Sequence, residues 1–108
     1  MIVLRYPVFV FNAGENVTLR LGSDIADRVG AGDTEVEIKG LSDDTVFAFG
    51  DISRANAVPF NLVQQAWIDE SSFPGVTTLD SLYRYLSLFY GDFDCEALVS
   101  VIYFNLRP

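Results

Sequence analysis

Alternation of apolar and polar residues is the strongest signal along this chain, and it predicts several short β-strands. Over residues 34–39, Val36 and Ile38 alternate with charged residues, so one face would be buried and the other solvated. Residues 45–52 form a more apolar segment, in which Gly50 indicates a bulge. The other predicted strands cover residues 1–5, 17–20 and 97–106, the last of them apolar on both faces.

One helix is predicted over residues 79–90, because apolar side chains recur there at spacings of three and four. Thr77 with Asp80 three residues later approximates a capping box, and Gly91 is a typical stop signal. We expect the apolar face of this helix to pack in the core. Its members are Leu79, Leu82, Tyr83, Leu86, Phe89 and Tyr90.

The remaining segments are interpreted as turns and irregular structure. Residues 22–32 resemble a loop because they contain Gly30 and Gly32. Residues 53–75 are the least regular part, although residues 60–67 could form a short helix. Breaks or turns are expected at Pro7, Asp43–Asp44, Pro59 and Pro74, with residues 8–13 either a helical turn or an extended piece.

These elements predict an α+β fold: a small, mainly antiparallel β-barrel with one firm helix and one or two short helices. The chain has 108 residues, of which 50% are hydrophobic. That length is enough for one domain, covering residues 1–108, and too short for two.

The excess of acidic residues limits which molecules the protein can bind. With 7 cationic and 15 acidic residues the net charge is −8, spread over the whole chain. A negative surface repels phosphate, so nucleic-acid binding requires a local basic pocket that overrides the field.

The absence of histidine excludes Ser-His-Asp and Cys-His catalysis and every histidine-bearing metal site. We also expect no cofactor and no metal. The single Cys95 has no internal disulfide partner, and the apolar N-terminal segment is too short to span a membrane. We expect a cytoplasmic protein without membrane contact.

An ordered set of motifs covers nearly the whole chain. The run from Gly14 to Gly22 contains Thr18 and Arg20, and is followed by Arg28-Val29 and Gly32-Asp33. A helix ending in Tyr90-Gly91 and a closing strand come later. In this order the motifs resemble the ASCH domain of the PUA-like superfamily. The resemblance implies a PUA-like barrel that binds RNA or a modified nucleoside.

One small single-domain branch of that family hydrolyses N4-acetylcytidine with a lysine, a threonine and a glutamate. Thr18 matches the threonine, and Glu70 is the candidate for the glutamate. The lysine position falls on Glu15 or Asn16. Asn16 cannot transfer protons, and Glu15 would repel a developing oxyanion. We therefore expect the scaffold without this hydrolysis. The alternative is an amidohydrolase with Glu15, Thr18 and Glu70 as catalytic residues.

The expected pocket lies between three segments: the turn from Gly14 to Arg20, the loop at Arg28, and residues 67–73. Thr18 would supply a hydroxyl, Arg20 and Arg28 charge-assisted donors, and Glu70 an acceptor for an exocyclic amine. Asn16 and Trp67 complete the predicted ligand-binding set, and Arg5 could lie at the barrel mouth.

A structural interpretation competes with this one. The arginines would then pair with Asp24, Asp27 and Asp33, and Trp67 would plug the barrel end. A third alternative is an acidic, for example phage-encoded, nucleic-acid mimic that occupies a basic protein partner. An open pocket lined by arginines would favour the binding module, whereas a closed pocket and carboxylates crowded on one face would favour the mimic.

Overall fold

The computed structural model describes residues 1–6, 11–41, 44–71, 73 and 75–108. Within them the chain is α+β, with five strands in one curled half-barrel sheet, three α-helices and one 3-10 turn. The elements are β1 Ile2–Tyr6, β2 Glu15–Leu21, α1 Asp24–Gly30, β3 Glu35–Gly40, β4 Val46–Pro59, the 3-10 turn Phe60–Leu62, α2 Gln65–Glu70, α3 Leu79–Tyr90 and β5 Leu98–Leu106. The predictions made for residues 7–10, Asp43 and Pro74 lie outside the described residues.

The sheet has the strand order β1-β3-β4-β5-β2. β1 pairs with β3 in parallel, and the other three pairings are antiparallel. The mainly antiparallel character predicted from the sequence is therefore confirmed. β4 is 14 residues long; it pairs with β3 from Val46 to Asp51 and with β5 from Gly50 to Pro59. β1 and β2 are left as the two edges of the half-barrel.

Alternation holds where the sheet has one solvated face. Ile2, Leu4 and Tyr6 of β1 are buried between exposed neighbours, and β3 buries Val36 and Ile38 as predicted. β5 behaves differently, because its residues 99–104 are all buried. Both faces of this strand are covered, as its doubly apolar pattern indicated.

The segment of residues 22–32 corrects one expectation, because it contains the short helix α1 where a loop was predicted. Asp24 and Asp27 lie in its first turn, where carboxylates interact favourably with the helix dipole. Ile25 and Val29 are four residues apart and both pack against the core. The two nearby glycines obscured this weak amphipathic signal.

Gly50 was expected to mark a bulge, and this is wrong. The register of β4 shifts between Ile52 and Arg54, and that of β3 between Ile38 and Lys39. At Gly50 itself the backbone of β5 approaches so closely that a Cβ would lie 2.5 Å from the carbonyl oxygen of Asn105. Glycine is required there by a close backbone approach.

Helix α3 has the predicted bounds, but its cap is one residue later than expected. Thr78 is the N-cap, and its hydroxyl accepts from the backbone N–H of Ser81. The hydroxyl of Ser81 in turn accepts from the backbone N–H of Thr78 at 2.9 Å. Ser81 thus takes the place that glutamate or glutamine usually occupies in a capping box. The helix ends at Gly91, whose φ is 76°.

Replacing the capping residue tests this assignment. Thr78→Ala removes the acceptor for the N–H of Ser81 and is expected to lower the free energy of unfolding by about 1 kcal/mol. Urea denaturation followed by circular dichroism measures the change. Thr77→Ala is the matched control, because its side chain is not the cap, and an equal loss in both variants would contradict the assignment.

The close approach at Gly50 gives a second test. Gly50→Ala drives a methyl group against the Asn105 carbonyl, and overpacking of this kind costs about 1–3 kcal/mol. Gly14→Ala is the control, because nothing lies within 4 Å of a Cβ there and its φ is not positive. Equal thermal stability of the two variants would show that β4 and β5 are not so tightly apposed.

Candidate ligand-binding site

A cavity of about 410 Å³ opens between β1, the end of β2 and the second half of α3. Most of its wall is apolar or aromatic, including Phe73, Tyr85, Phe89 and Tyr90, and the fully buried Leu86 brings it to the edge of the core. Two arginines, Arg5 and Arg20, also line it. Its size and its few polar groups in an apolar wall are typical of small-ligand sites.

Arg20 is held in place by hydrogen bonds to both edge strands. Its Nη1 donates to the Thr18 hydroxyl at 2.8 Å and to the Leu19 carbonyl at 3.0 Å. Its Nη2 donates to the Arg5 carbonyl of β1 at 3.2 Å. The side chain therefore bridges the gap between β2 and β1, which are not neighbours in the sheet.

Aromatic rings fix the same guanidinium. Its central carbon lies 4.7 Å from the ring centroid of Tyr6 and 5.1 Å from that of Phe73. Phe73 in turn stacks on Tyr85 with centroids 4.5 Å apart and an interplanar angle of 24°. Cation–π contacts and planar stacking suit arginine better than lysine. The cation is thus pre-positioned in the cavity wall.

The charge of Arg20 is not neutralised by a carboxylate in the part of the chain that the structure describes. Five of the six other cationic side chains are ion-paired: Arg5 with Asp44, Arg28 with Asp33, Lys39 with Glu37, Arg84 with Asp80, and Arg107 with Asp51. A guanidinium has five N–H donors, and Arg20 uses three of them for described hydrogen bonds. Counted over the described residues, two donors and the positive charge are left for a ligand.

Two phenols lie close to this cation. The hydroxyl of Tyr6 is buried and has no hydrogen-bond partner among the described residues. Burial raises the pKa of Tyr85 above its ordinary value, and the nearby Arg20 only partly offsets this. Tyr85 therefore keeps its proton at neutral pH and can donate a hydrogen bond from the cavity wall.

The structure brings two of the predicted site residues together. Thr18 and Arg20 are two positions apart in β2, share a face of the sheet and are hydrogen-bonded to each other. Thr18 is completely buried, so it acts on the cavity through Arg20.

Asn16 shares that face but has a structural role. Its amide oxygen accepts from the N–H of Asn12 at 2.8 Å, and its Nδ2 donates to the carbonyls of Asn12 and Gly14. These bonds hold the turn before β2 and occupy both ends of the amide. The side chain does not line the cavity.

Arg28 pairs with Asp33, as expected if the arginines have a structural role. Its Nη2 lies 2.6 Å from a carboxylate oxygen of Asp33 and 3.0 Å from the carbonyl of Met1. These contacts tie the end of α1 to the start of β1. Arg28 is not part of the cavity wall.

The other predicted residues are dispersed. Glu15 is exposed, accepts from the Ser53 hydroxyl at 3.3 Å, and lies on the sheet face opposite to Thr18. Trp67 packs partly buried against the core from α2, and Glu70 is exposed at the end of that helix. None of these three lines the cavity, so Glu15, Thr18 and Glu70 do not meet there.

The aromatic residues of α3 are the part of the site that sequence reasoning missed. Phe89 and Tyr90 were assigned to the core face of the helix, yet they are 46% and 48% exposed. They fall in the last turn, beyond the buried Leu82 and Leu86, where the helix extends past the core. An apolar face that continues to the very end of a helix, next to its stop glycine, was the available signal.

The described ranges hold neither a candidate metal centre nor a membrane-spanning helix. No group of three or more cysteine, aspartate or glutamate side chains is placed to hold a metal ion within those residues. No helix in the same part of the chain is long and apolar enough to cross a membrane.

Comparisons of the chain with protein-family models, curated proteins and solved structures give no match. The resemblance to the ASCH family therefore rests on the order of motifs in the sequence.

The pairing of Arg28 with Asp33 generates a pH prediction. The hydrogen bond from Arg28 lowers the pKa of Asp33 below its ordinary value of 3.8. A lowered folded pKa means that the carboxylate stabilises the fold above about pH 4 and loses this effect as the pH falls through the folded value. Asp33→Asn is therefore expected to flatten the dependence of stability on pH below about 4. Urea midpoints from pH 2 to 6 measure it.

Asp92→Asn is the control for this experiment, because Asp92 is exposed and has no ion pair among the described residues. An unchanged acid dependence in Asp33→Asn would show that the Arg28 contact is not formed in solution.

Proposed function

We propose that the chain is a PUA-like module of the ASCH type that binds RNA or a modified nucleoside in the cavity between β1, β2 and α3. The observation that carries this proposal is Arg20: a guanidinium fixed over aromatic rings in a cavity wall, with no carboxylate partner in the described residues. The cost of keeping a partly buried cation unpaired is offset when a ligand supplies the anion or a strong acceptor.

The rest of the wall suits a planar ring. Phe89 and Tyr90 offer exposed aromatic surface on which a base can stack, and the Tyr85 hydroxyl is a neutral donor. Arg20 can donate two parallel hydrogen bonds to a carbonyl edge or to phosphate oxygens. Apolar stacking surface beside directed donors is the combination by which proteins read unpaired bases.

The same geometry supports binding over the two alternatives. The cavity is open and lined by Arg5 and Arg20, which is the arrangement that favours a binding module over a nucleic-acid mimic. Hydrolysis would need a proton-transfer group beside Thr18, and its hydroxyl instead accepts from Arg20 at 2.8 Å. Glu15 and Glu70 lie elsewhere. We therefore propose binding without amide hydrolysis.

Titration of labelled protein tests the proposal. We expect ribonucleosides, N4-acetylcytidine or short single-stranded RNA to shift the amide resonances of residues 85–90 and of Arg20. Arg20→Gln is expected to weaken binding at least tenfold, because a charge-assisted bidentate contact contributes more than about 1.4 kcal/mol.

Arg84→Gln is the matched control, because Arg84 lies on α3 with an exposed Asp80 pair and outside the cavity wall. Arg20→Lys keeps the charge but loses the fork of donors, and thermal melting of each variant separates loss of binding from loss of fold. Resonances that do not move at millimolar ligand, or equal affinity of Arg20→Gln and the parent chain, would refute the proposal.

A further inference from the structure

Few cationic side chains of this protein are available to bind phosphate groups. It carries 7 cationic residues against 15 acidic ones. Arg5, Arg28, Lys39, Arg84 and Arg107 each have a carboxylate within 4.0 Å. Each of these pairs would have to break, or to take up a third charge, in order to bind an RNA backbone.

Among the described residues, Arg20 and Arg54 are the two cations without such a pair, and they lie on opposite faces of the sheet. Arg54 is opposite Tyr103 of β5 and stacks on its ring at 4.0 Å. Arg20 is opposite Ser100. Because Tyr103 and Ser100 are three positions apart in one strand, their side chains point to opposite faces. One short nucleic-acid segment cannot contact both arginines without passing around the sheet.

We infer that the cavity takes the terminal phosphate monoester of a nucleotide, with the attached base and sugar, and does not take an internal segment of a strand. The inference rests on the proposed function and specifies its ligand class. A phosphate monoester carries a charge of about −1.5 to −2 at neutral pH on three oxygens of one group. An internal diester carries a single charge, and its neighbours would face a surface with a net charge of −8.

The geometry of the cavity agrees with a single concentrated anion. Beyond its contacts to described residues, Arg20 has two N–H donors left, which is the number that a bidentate contact to one phosphate group uses. The aromatic surface of Phe89 and Tyr90 lies in the same wall, so a base attached to that phosphate can stack beside it. A volume of about 410 Å³ suits one nucleotide rather than several.

Isothermal titration with two sets of ligands tests this. The first set is the four ribonucleosides and their 5′-monophosphates, and we expect at least one monophosphate to bind at least tenfold more tightly than its nucleoside. The second set is octamers of RNA with and without a 5′-phosphate, and we expect the phosphorylated octamer to bind more tightly.

Comparison of the two sets shows whether the terminal phosphate belongs to a free mononucleotide or to the end of an RNA strand. Equal affinity for the monophosphate and the phosphorylated octamer identifies the end of an RNA strand, and weaker binding of the octamer identifies a free mononucleotide. For the octamer, the slope of log K against log salt concentration is expected to be about −0.7 to −1.4, since each neutralised phosphate of a single strand contributes about −0.7.

Two variants test whether Arg20 causes the preference for the monophosphate. Arg20→Gln is expected to reduce the preference for the monophosphate to threefold or less. Arg54→Gln is expected to leave the preference unchanged, because it removes an equally unpaired cation from the other face.

The possible failures are distinguishable. Octamers that bind equally with and without the phosphate, or with a salt slope of −3 or steeper, would overturn the inference and leave RNA binding intact. Nucleosides that bind as tightly as their monophosphates would overturn it and leave a nucleoside pocket. Absence of binding by every ligand would overturn the proposed function as well.

Discussion

Arg20 connects the two edges of the sheet, and the character of the site depends on that connection. β1 and β2 end the strand order on opposite sides, and in the described residues their contact is made by a side chain, from Arg20 Nη2 to the carbonyl of Arg5. The same guanidinium lies over the ring of Tyr6, also in β1, so a side chain spans the gap between two strands that do not pair. The curled sheet remains a half-barrel, and the cavity lies along its open side against α3.

Arg20 gives the cavity a local positive charge, although the protein as a whole is negative. A net charge of −8 predicts repulsion of nucleic acids, and most cations are paired with carboxylates at the surface, where such pairs contribute little to stability. Arg20 is instead held by a hydroxyl, two carbonyls and two aromatic rings, none of which cancels its charge. A positive site can thus exist within an acidic protein, provided that its ligand presents its charge at one point.

Whether a sequence prediction was correct depended mainly on how far apart in the chain the interacting residues lie. The bounds of α3 and the buried set of β3 depend on neighbours a few residues away, and they were correctly predicted. The cap moved by one residue because Ser81, which few patterns include at that position, completes the box with Thr78. α1 was missed because only seven residues carry its signal, and Gly50 was misread because the group it avoids, the Asn105 carbonyl, is 55 positions away in the sequence.

The sequence by itself determined the α+β class, the main helix, most strands and the acidic charge, because all of these follow from composition or from period-two and period-three-to-four patterns. Tertiary structure alone decided which face of α3 borders a cavity and that Glu15 and Glu70 lie away from Thr18. It also decided that Arg28 is paired with Asp33, whereas Arg20 has no carboxylate partner in the described part of the chain. Those outcomes depend on how the sheet curls and on which distant segments meet at its open edge, and no local pattern encodes that geometry.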